Sequence, residues 1–181
     1  MEKNRIPSPA PEEKEVLSLL HLAAIEGKLE VIAFLLDHGF TVDQKTNKGF
    51  APLHSAIIRN QVKSAKFLLE RGANPNIKTN LGGVPLLYAA LKDYVETAKV
   101  LLEFKADVNA LDNGGASPLH FASSAGSCKV TRLLLAHGAF TGIKDVDGNT
   151  PLSLAAAETA LILQRRQPKA RKPKLPPAAN N

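Results

Sequence analysis

Hydrophobic residues return along this chain at intervals of 33 residues. The most regular column consists of Leu20, Leu53, Leu86, Leu119 and Leu152. An alanine column and a leucine-pair column keep the same register, at Ala23, Ala56, Ala89, Ala122 and Ala155 and at Leu35-Leu36, Leu68-Leu69, Leu101-Leu102 and Leu134-Leu135. A fixed period of this length is typical of solenoids, in which one supersecondary unit stacks on the next.

Within one period the pattern predicts two short helices. After Val16, apolar residues between positions 19 and 24 form one helical stripe, Gly27 interrupts it, and residues 31–36 form a second stripe. Gly39 follows as a residue suited to ending a helix. We therefore expect each unit to be a pair of antiparallel helices followed by a polar loop, and the fold to be all-α.

The same register divides the chain into a repeat domain with two extensions. We expect the domain to span residues 15–166, with a flexible leader at 1–14 and a disordered, basic, proline-rich tail at 167–181. In the last unit Gln167-Pro168 occupy the leucine-pair slot, and proline there stops a helix. The last unit is therefore predicted to be a shortened cap that ends near Arg166. The units are 15–45, 46–78, 79–111, 112–144 and the partial unit 145–166.

The junctions predict which unit is least stable. Ser117-Pro118 and Thr150-Pro151 place a hydroxyl at the N-cap and a proline at the first helical position, whereas Ala51 and Val84 lack the hydroxyl. The turn between helices falls on residues that tolerate a positive φ, namely Gly27, Asn60, Asp93 and Gly126. Lys105 occupies the glycine column that otherwise holds Gly39, Gly72 and Gly138. The third unit is predicted to be the weakest.

Composition favours a soluble intracellular protein. The chain is 44% hydrophobic with one cysteine, Cys128, and it shows neither a secretory signal nor an apolar run long enough to span a bilayer. The net charge of +6 comes from six cations between Arg165 and Lys174, because residues 1–164 hold 17 basic and 17 acidic side chains out of totals of 23 and 17. We expect a cytoplasmic location, with the nucleus as the alternative.

Side chains that often carry chemistry are present but poorly grouped. His21, His54 and His120 lie one per unit, too far apart to share a metal ion, and we expect them to form hydrogen bonds where loop and helix meet. Asp145-Val-Asp-Gly-Asn lacks the remaining ligands of a calcium loop, and Cys128 has no oriented base nearby in the sequence. We therefore expect no catalytic residue, no metal and no cofactor.

The repeated motifs resemble those of the ankyrin repeat family. The family pattern Thr-Pro-Leu-His-x-Ala is similar to Ala51-Pro-Leu-His-Ser-Ala, Ser117-Pro-Leu-His-Phe-Ala and Thr150-Pro-Leu, and Gly-Ala-Asp-Val-Asn is similar to Gly72-Ala-Asn-Pro-Asn and Lys105-Ala-Asp-Val-Asn. The resemblance covers about residues 16–164 and departs at Ala51, Val84, Leu87, Lys105 and the end units. It implies an ankyrin repeat solenoid with projecting hairpin-like loops. It also implies a non-enzymatic protein that binds another protein or peptide.

In this family the ligand usually lies in a concave groove formed by loop tips and first helices. Carried over to this sequence, the partner-binding positions are Lys48, Phe50, Ile58, Arg59, Lys78, Asn80, Leu81, Leu91, Lys92, Leu111, Asn113, Lys144 and Asp147. Asn76 and Asn109 occupy the loop position that asparaginyl hydroxylases modify in some ankyrin proteins. The resemblance therefore also implies a possible site of modification.

The residues of the groove suggest their own binding chemistry. Phe50, Ile58, Leu81, Leu91 and Leu111 form an apolar centre, and the cations among the groove positions form its rim, which suits a peptide with acidic groups. The alternative is that Phe50 and Leu81 fold back over the loop bases as local packing. We expect a monomer that binds neither membranes nor, through the groove, nucleic acid. A nuclear or nucleic-acid adaptor acting through the basic tail is the alternative function.

Overall fold

Paired helices stacked in one direction make up the protein. The computed structural model describes residues 17–166, so the predicted leader and tail lie outside the described residues. In that range the helices are α1 Leu19–Glu26, α2 Leu29–Asp37, α3 Pro52–Ile58, α4 Val62–Glu70, α5 Pro85–Leu91, α6 Val95–Glu103, α7 Pro118–Ser124, α8 Cys128–Ala136 and α9 Ala157–Arg166. First helices contact first helices of the next unit, and second helices contact second helices. The described range contains no strand, and the predicted all-α solenoid is confirmed.

The repeating leucines and alanines form a continuous interior. Leu20, Leu53, Leu86 and Leu119 are completely buried, and Leu68, Leu101 and Leu134 of the second helices are buried beside them. The alanines at 23, 56, 89 and 122 are buried where first helices approach one another. Since each buried leucine contributes roughly 1.5–3 kcal/mol before entropy is subtracted, the interior shared between units stabilises the whole stack.

Left-handed turns occur where the sequence places them. Gly27 and Gly126 have φ of 74° and 70°, and the non-glycine residues Asn60 and Asp93 both have φ of 54°. Lys105 also has a positive φ, of 66°, at the end of α6. Two histidines lie at helix ends. His38 Nδ1 is 2.7 Å from the Phe34 carbonyl, and His137 Nδ1 is 2.9 Å from the Leu133 carbonyl. These histidines stabilise the helix ends, because a helix C-terminus carries partial negative charge.

The helix starts differ from the prediction in one respect. The hydroxyl of Ser117 lies 2.9 Å from His120 Nδ1, and the same ring nitrogen accepts the Ser117 backbone N–H at 3.0 Å. His54 Nδ1 accepts the Ala51 N–H at 3.1 Å in the same way. The histidine therefore anchors the helix start even where the hydroxyl is missing, as at Ala51.

The last unit ends at Arg166, near the predicted end, but it lacks a first helix. Thr150 and Ser153 exchange hydrogen bonds of 2.9 and 3.3 Å, as expected of a capping residue, but residues 151–154 form a turn and no helix begins at Pro151. The chain reaches α9 directly, where Thr159 donates to the Ser123 carbonyl at 2.8 Å and Leu163 is buried. The motif Thr150-Pro151 is therefore not sufficient by itself to start a helix, since helices this short also depend on tertiary packing.

Candidate binding groove

Each projecting loop is closed by its own hydrogen bonds. The backbone N–H of the first residue donates to the carbonyl four residues later at 2.8 to 3.1 Å in all four loops, which span residues 46–50, 79–83, 112–116 and 145–149. A side-chain oxygen of the same first residue accepts the returning N–H, as from Phe50 to Thr46 Oγ1 at 3.1 Å and from Ala116 to Asp112 Oδ1 at 2.8 Å. The loops are therefore formed before any partner binds.

Hydrogen bonds also join one loop tip to the next. Asn80 Nδ2 donates to the Asn47 carbonyl at 2.8 Å, and Asn113 Nδ2 donates to the Asn80 carbonyl at 3.0 Å. Backbone bonds of 3.1 Å from Asn80 to Lys48 and from Asn113 to Leu81 run beside them. The two asparagines thus hold the spacing of the loops, and their remaining surface is exposed to solvent.

Buried histidines connect the first helices to these loops. His21, His54 and His120 place Nε2 at 2.9, 3.2 and 3.2 Å from the carbonyls of Phe50, Gly83 and Asn149 in the following loop. Since Nδ1 accepts a backbone N–H, Nε2 carries the proton and donates. Burial lowers the pKa of His54 from 6.5 to about 4, although the Gly83 carbonyl opposes the change. Leu87 occupies this position in the third unit and cannot make the bond.

Most of the predicted groove positions are open to solvent. Leu81 is the most exposed of the apolar ones at 80%, while Ile58, Leu91 and Leu111 are exposed at between 37% and 39%. The cations Lys48, Arg59, Lys92 and Lys144 and the acid Asp147 are also exposed. The structure therefore leaves an apolar strip beside charged side chains on the loops and first helices.

Two of the predicted residues differ from this description. Phe50 is half-buried and its ring packs 5.6 Å from the rings of both His54 and Tyr88, so local packing accounts for part of its surface. Lys78 is exposed, but its Nζ donates to the Leu111 carbonyl at 2.8 Å and so bridges adjacent loops. Lys45 makes the matching bond to the Lys78 carbonyl at 2.9 Å.

Tyr88 and Phe121 belong to the same surface and were missed by the sequence prediction. Both are half-buried on first helices, and Tyr88 reaches the aromatic cluster with Phe50 and His54. Both occupy the column that begins at Leu22 and continues at Ser55, so the 33-residue register was a signal that could have found them. They extend the apolar part of the groove beneath the loops.

Asn76 and Asn109 connect their own units to the segments that follow α6 and α8. Asn76 Oδ1 accepts the Asp107 N–H at 2.7 Å and Asn109 Oδ1 accepts the Phe140 N–H at 2.8 Å. Their amide nitrogens donate to the Lys105 and Gly138 carbonyls, at 3.3 Å in both cases. Modification of either residue stays a prediction.

The described residues were compared with the arrangements that bind metal ions or cross membranes. Between residues 17 and 166, no set of three or more histidine, cysteine, aspartate and glutamate side chains is placed to hold a metal ion. Cys128 lies 3.4 Å from Glu158, and burial together with this carboxylate raises the pKa of its thiol. None of the helices in the same range is long and apolar enough to cross a membrane.

Comparison with known proteins agrees with the geometry. The sequence model described as ankyrin repeats (3 copies) matches residues 8–79 and 86–164 of this chain. No curated protein matches the chain significantly.

Proposed function

Because the chain belongs to the ankyrin repeat family, whose repeats are protein–protein interaction modules and typically not enzymes, we propose that it binds a partner protein or peptide through the groove described above. The observation that carries the proposal is the exposed strip of Ile58, Leu81, Leu91 and Leu111 on a framework whose loops are already hydrogen-bonded. Preformed loops lose little entropy on binding, so more of the contact energy appears as affinity.

The charges favour a partner segment with acidic groups. Arg59 and Lys92 follow Ile58 and Leu91 at the ends of their helices, and Lys48 and Lys144 lie on the loops. Asp147 is the acid among the exposed groove positions and lies at the C-terminal end of the row. Cations around an apolar centre attract carboxylates and fix the orientation of the peptide, while the buried apolar side chains supply most of the affinity.

A peptide selection on the full chain tests this proposal. Peptides from a displayed random library that bind the wild-type protein should contain acidic residues beside apolar ones. The double variant Leu91→Ala with Arg59→Glu should bind them at least about tenfold more weakly, because it removes an apolar anchor and reverses a charge. Circular dichroism and thermal melting should stay near those of the wild type.

A control variant changes one apolar and one basic residue outside the groove. Phe140→Ala with Lys66→Glu alters two exposed positions, one after α8 and one on α4. This variant should keep the wild-type affinity. Equal binding by the groove variant, or an equal loss in both variants, would show that the groove is not the binding surface.

The basic tail supports a second function, that of a nuclear or nucleic-acid adaptor. Six cations and no acids follow residue 164, whereas the preceding chain is formally neutral. Deleting residues 165–181 separates the two proposals, because groove binding should survive the deletion and tail-driven localisation should be lost. Under the first proposal we place the protein in the cytoplasm.

A further inference from the structure

The first unit exposes apolar side chains whose equivalents in every following unit are buried or half-buried. Leu19 of α1 is 61% exposed, and Val31 and Phe34 of α2 are 45% and 58% exposed. We call these three residues, together with Lys28 and Asp37 at the ends of α2, the N-terminal face. Phe34 stacks on His38 with ring centroids 3.9 Å apart, which holds its ring in place.

The equivalent residues in the following units, 33 residues apart, show which kind of contact this surface is suited to make. One, two and three periods after Val31 are Ser64, Thr97 and Val130, all completely buried. The equivalents of Leu19 are three buried prolines, Pro52, Pro85 and Pro118. The equivalents of Phe34 are half-buried, namely Phe67, Val100 and Leu133. Helices α4, α6 and α8 each contact the preceding second helix, and Thr97 of the Val31 column donates to Asn60 Oδ1 of the preceding unit at 2.8 Å. The N-terminal face continues that stacking interface and is more apolar than its internal equivalents.

Neither residues 1–16 nor the opposite end of the stack is complementary to this face in sequence or polarity. In the 33-residue register Glu2-Lys3 fall where the leucine pair belongs, so residues 1–16 lack the pattern of a packing helix pair. At the other end α9 exposes Glu158, Gln164 and Arg165 around Leu161. This polar end is what a terminal repeat needs in water, and it offers little to an apolar surface.

The N-terminal face is complementary to a second copy of itself. Lys28, Val31, Phe34 and Asp37 are exposed and follow one another at three-residue spacing along α2. When two such rows meet in opposite directions, Val31 meets Phe34 of the second copy, and Lys28 meets Asp37 of the second copy. Rows of this spacing align when two helices cross nearly at right angles. A two-fold axis generates each contact twice.

We propose that two copies of this chain associate through the N-terminal face, with α2 crossing α2 and two Lys28–Asp37 ion pairs at the edges of an apolar centre. This departs from the monomer expected from the sequence and does not depend on the groove. Asp37 also pairs with Arg71 of its own chain at 2.9 Å, but its side chain is 63% exposed and remains accessible to a second cation.

The first test is the mass of the full chain in solution. Sedimentation velocity should show a monomer–dimer equilibrium in wild type, and Phe34→Lys should weaken dimerisation at least about tenfold, since it places a charge in an apolar contact. Phe140→Lys is the control, because Phe140 is equally exposed but lies outside the face. A wild-type chain that stays monomeric up to about 1 mM, or a dimer unaffected by Phe34→Lys, would overturn the proposal.

A charge exchange tests the predicted register. Lys28→Glu and Asp37→Lys should each dimerise poorly alone, because like charges then meet at both edges of the interface. Mixed in equal amounts they should form a heterodimer, since the introduced glutamate then meets the introduced lysine at one edge, and the unchanged Asp37 meets the unchanged Lys28 at the other. Lys63→Glu, which changes the net charge as Lys28→Glu does but at an exposed site on α4, should dimerise like wild type.

Two results of the exchange would contradict the proposal. One is normal dimerisation by either single variant, and the other is a mixture that associates no better than its components. The groove variant Leu91→Ala with Arg59→Glu should dimerise like wild type. Loss of peptide binding and loss of dimerisation are therefore separable failures.

Discussion

Single glycines decide how closely the loop tips can approach one another. Gly49 and Gly148 occupy the same position in different loops, with φ of 82° and 81°. A Cβ at Gly49 would lie 2.5 Å from the backbone nitrogen of Asn80 and would also meet the side-chain oxygen of that residue. A Cβ at Gly148 would meet nothing within 4 Å, because no described loop follows it. The two positions share backbone strain and differ in contact.

We expect Gly49→Ala to destabilise the protein more than Gly148→Ala. Both substitutions should cost about 1–2 kcal/mol for the left-handed backbone, and Gly49→Ala should cost about 1–3 kcal/mol more because the adjacent loop must move. Urea denaturation of the two variants measures the difference. Faster amide hydrogen exchange at Asn80 in Gly49→Ala alone would locate the damage at the loop contact. Equal unfolding free energies would show that the loops are not in contact.

At the scale of helices and turns, periodicity predicted most of the structure. Helices α1 to α8 lie where the apolar stripes end at turn residues, because each helix packs against its equivalent in at least one neighbouring unit. The exception is Pro151, whose motif matches the earlier helix starts although residues 151–154 form a turn. Sequence motifs report local preference, and helices this short also depend on tertiary packing.

The candidate groove was predictable to a similar degree. The resemblance to the ankyrin family placed Ile58, Leu81 and Leu91 in the groove; the structure leaves all three exposed, and their role in binding stays a prediction. The hydrogen bond from Lys78 to the next loop and the ring cluster around Tyr88 depend on side-chain rotamers and on inter-unit distance. A residue pattern does not contain this information.

The end of α6 is the element most open to improvement. Lys105 has a φ of 66° where three other units have glycine. We expect Lys105→Gly to raise the free energy of unfolding by about 1 kcal/mol. Glycine has no Cβ, so it adopts this conformation without the clash that the Cβ of lysine causes. Thermal melting of the full chain shows directly whether the substitution stabilises or destabilises the protein.

A second lysine-to-glycine change controls for chain flexibility. Lys66 is exposed in the middle of α4, where glycine should lower the free energy of unfolding by about 1 kcal/mol. The two substitutions are chemically the same and should have opposite signs. Destabilisation by both would mean that Lys105 is not strained, and the third unit would then owe its predicted weakness to Val84 and Leu87.

At the scale of the whole molecule, the buried His54 connects the stability of the stack to pH. His54 lies in the interior and joins α3 to the following loop, and burial lowers its pKa to about 4. In the unfolded chain the same ring takes up a proton near pH 6.5. Between these two values the unfolded state binds one more proton than the folded state, so acid favours unfolding.

We therefore expect the free energy of unfolding to fall by about 3 kcal/mol through His54 as pH decreases from 6.5 to 4, with no further loss from this residue below pH 4. Chemical denaturation at half-unit pH steps measures the slope. His54→Leu is the matched variant, since Leu87 already occupies the equivalent position in the third unit. It should be less stable at pH 7, because the bonds to Ala51 and Gly83 are lost, and flatter between pH 6.5 and 4. An unchanged slope in His54→Leu would mean that the pH dependence comes from other groups, and that the interior tolerates a charged ring at this junction.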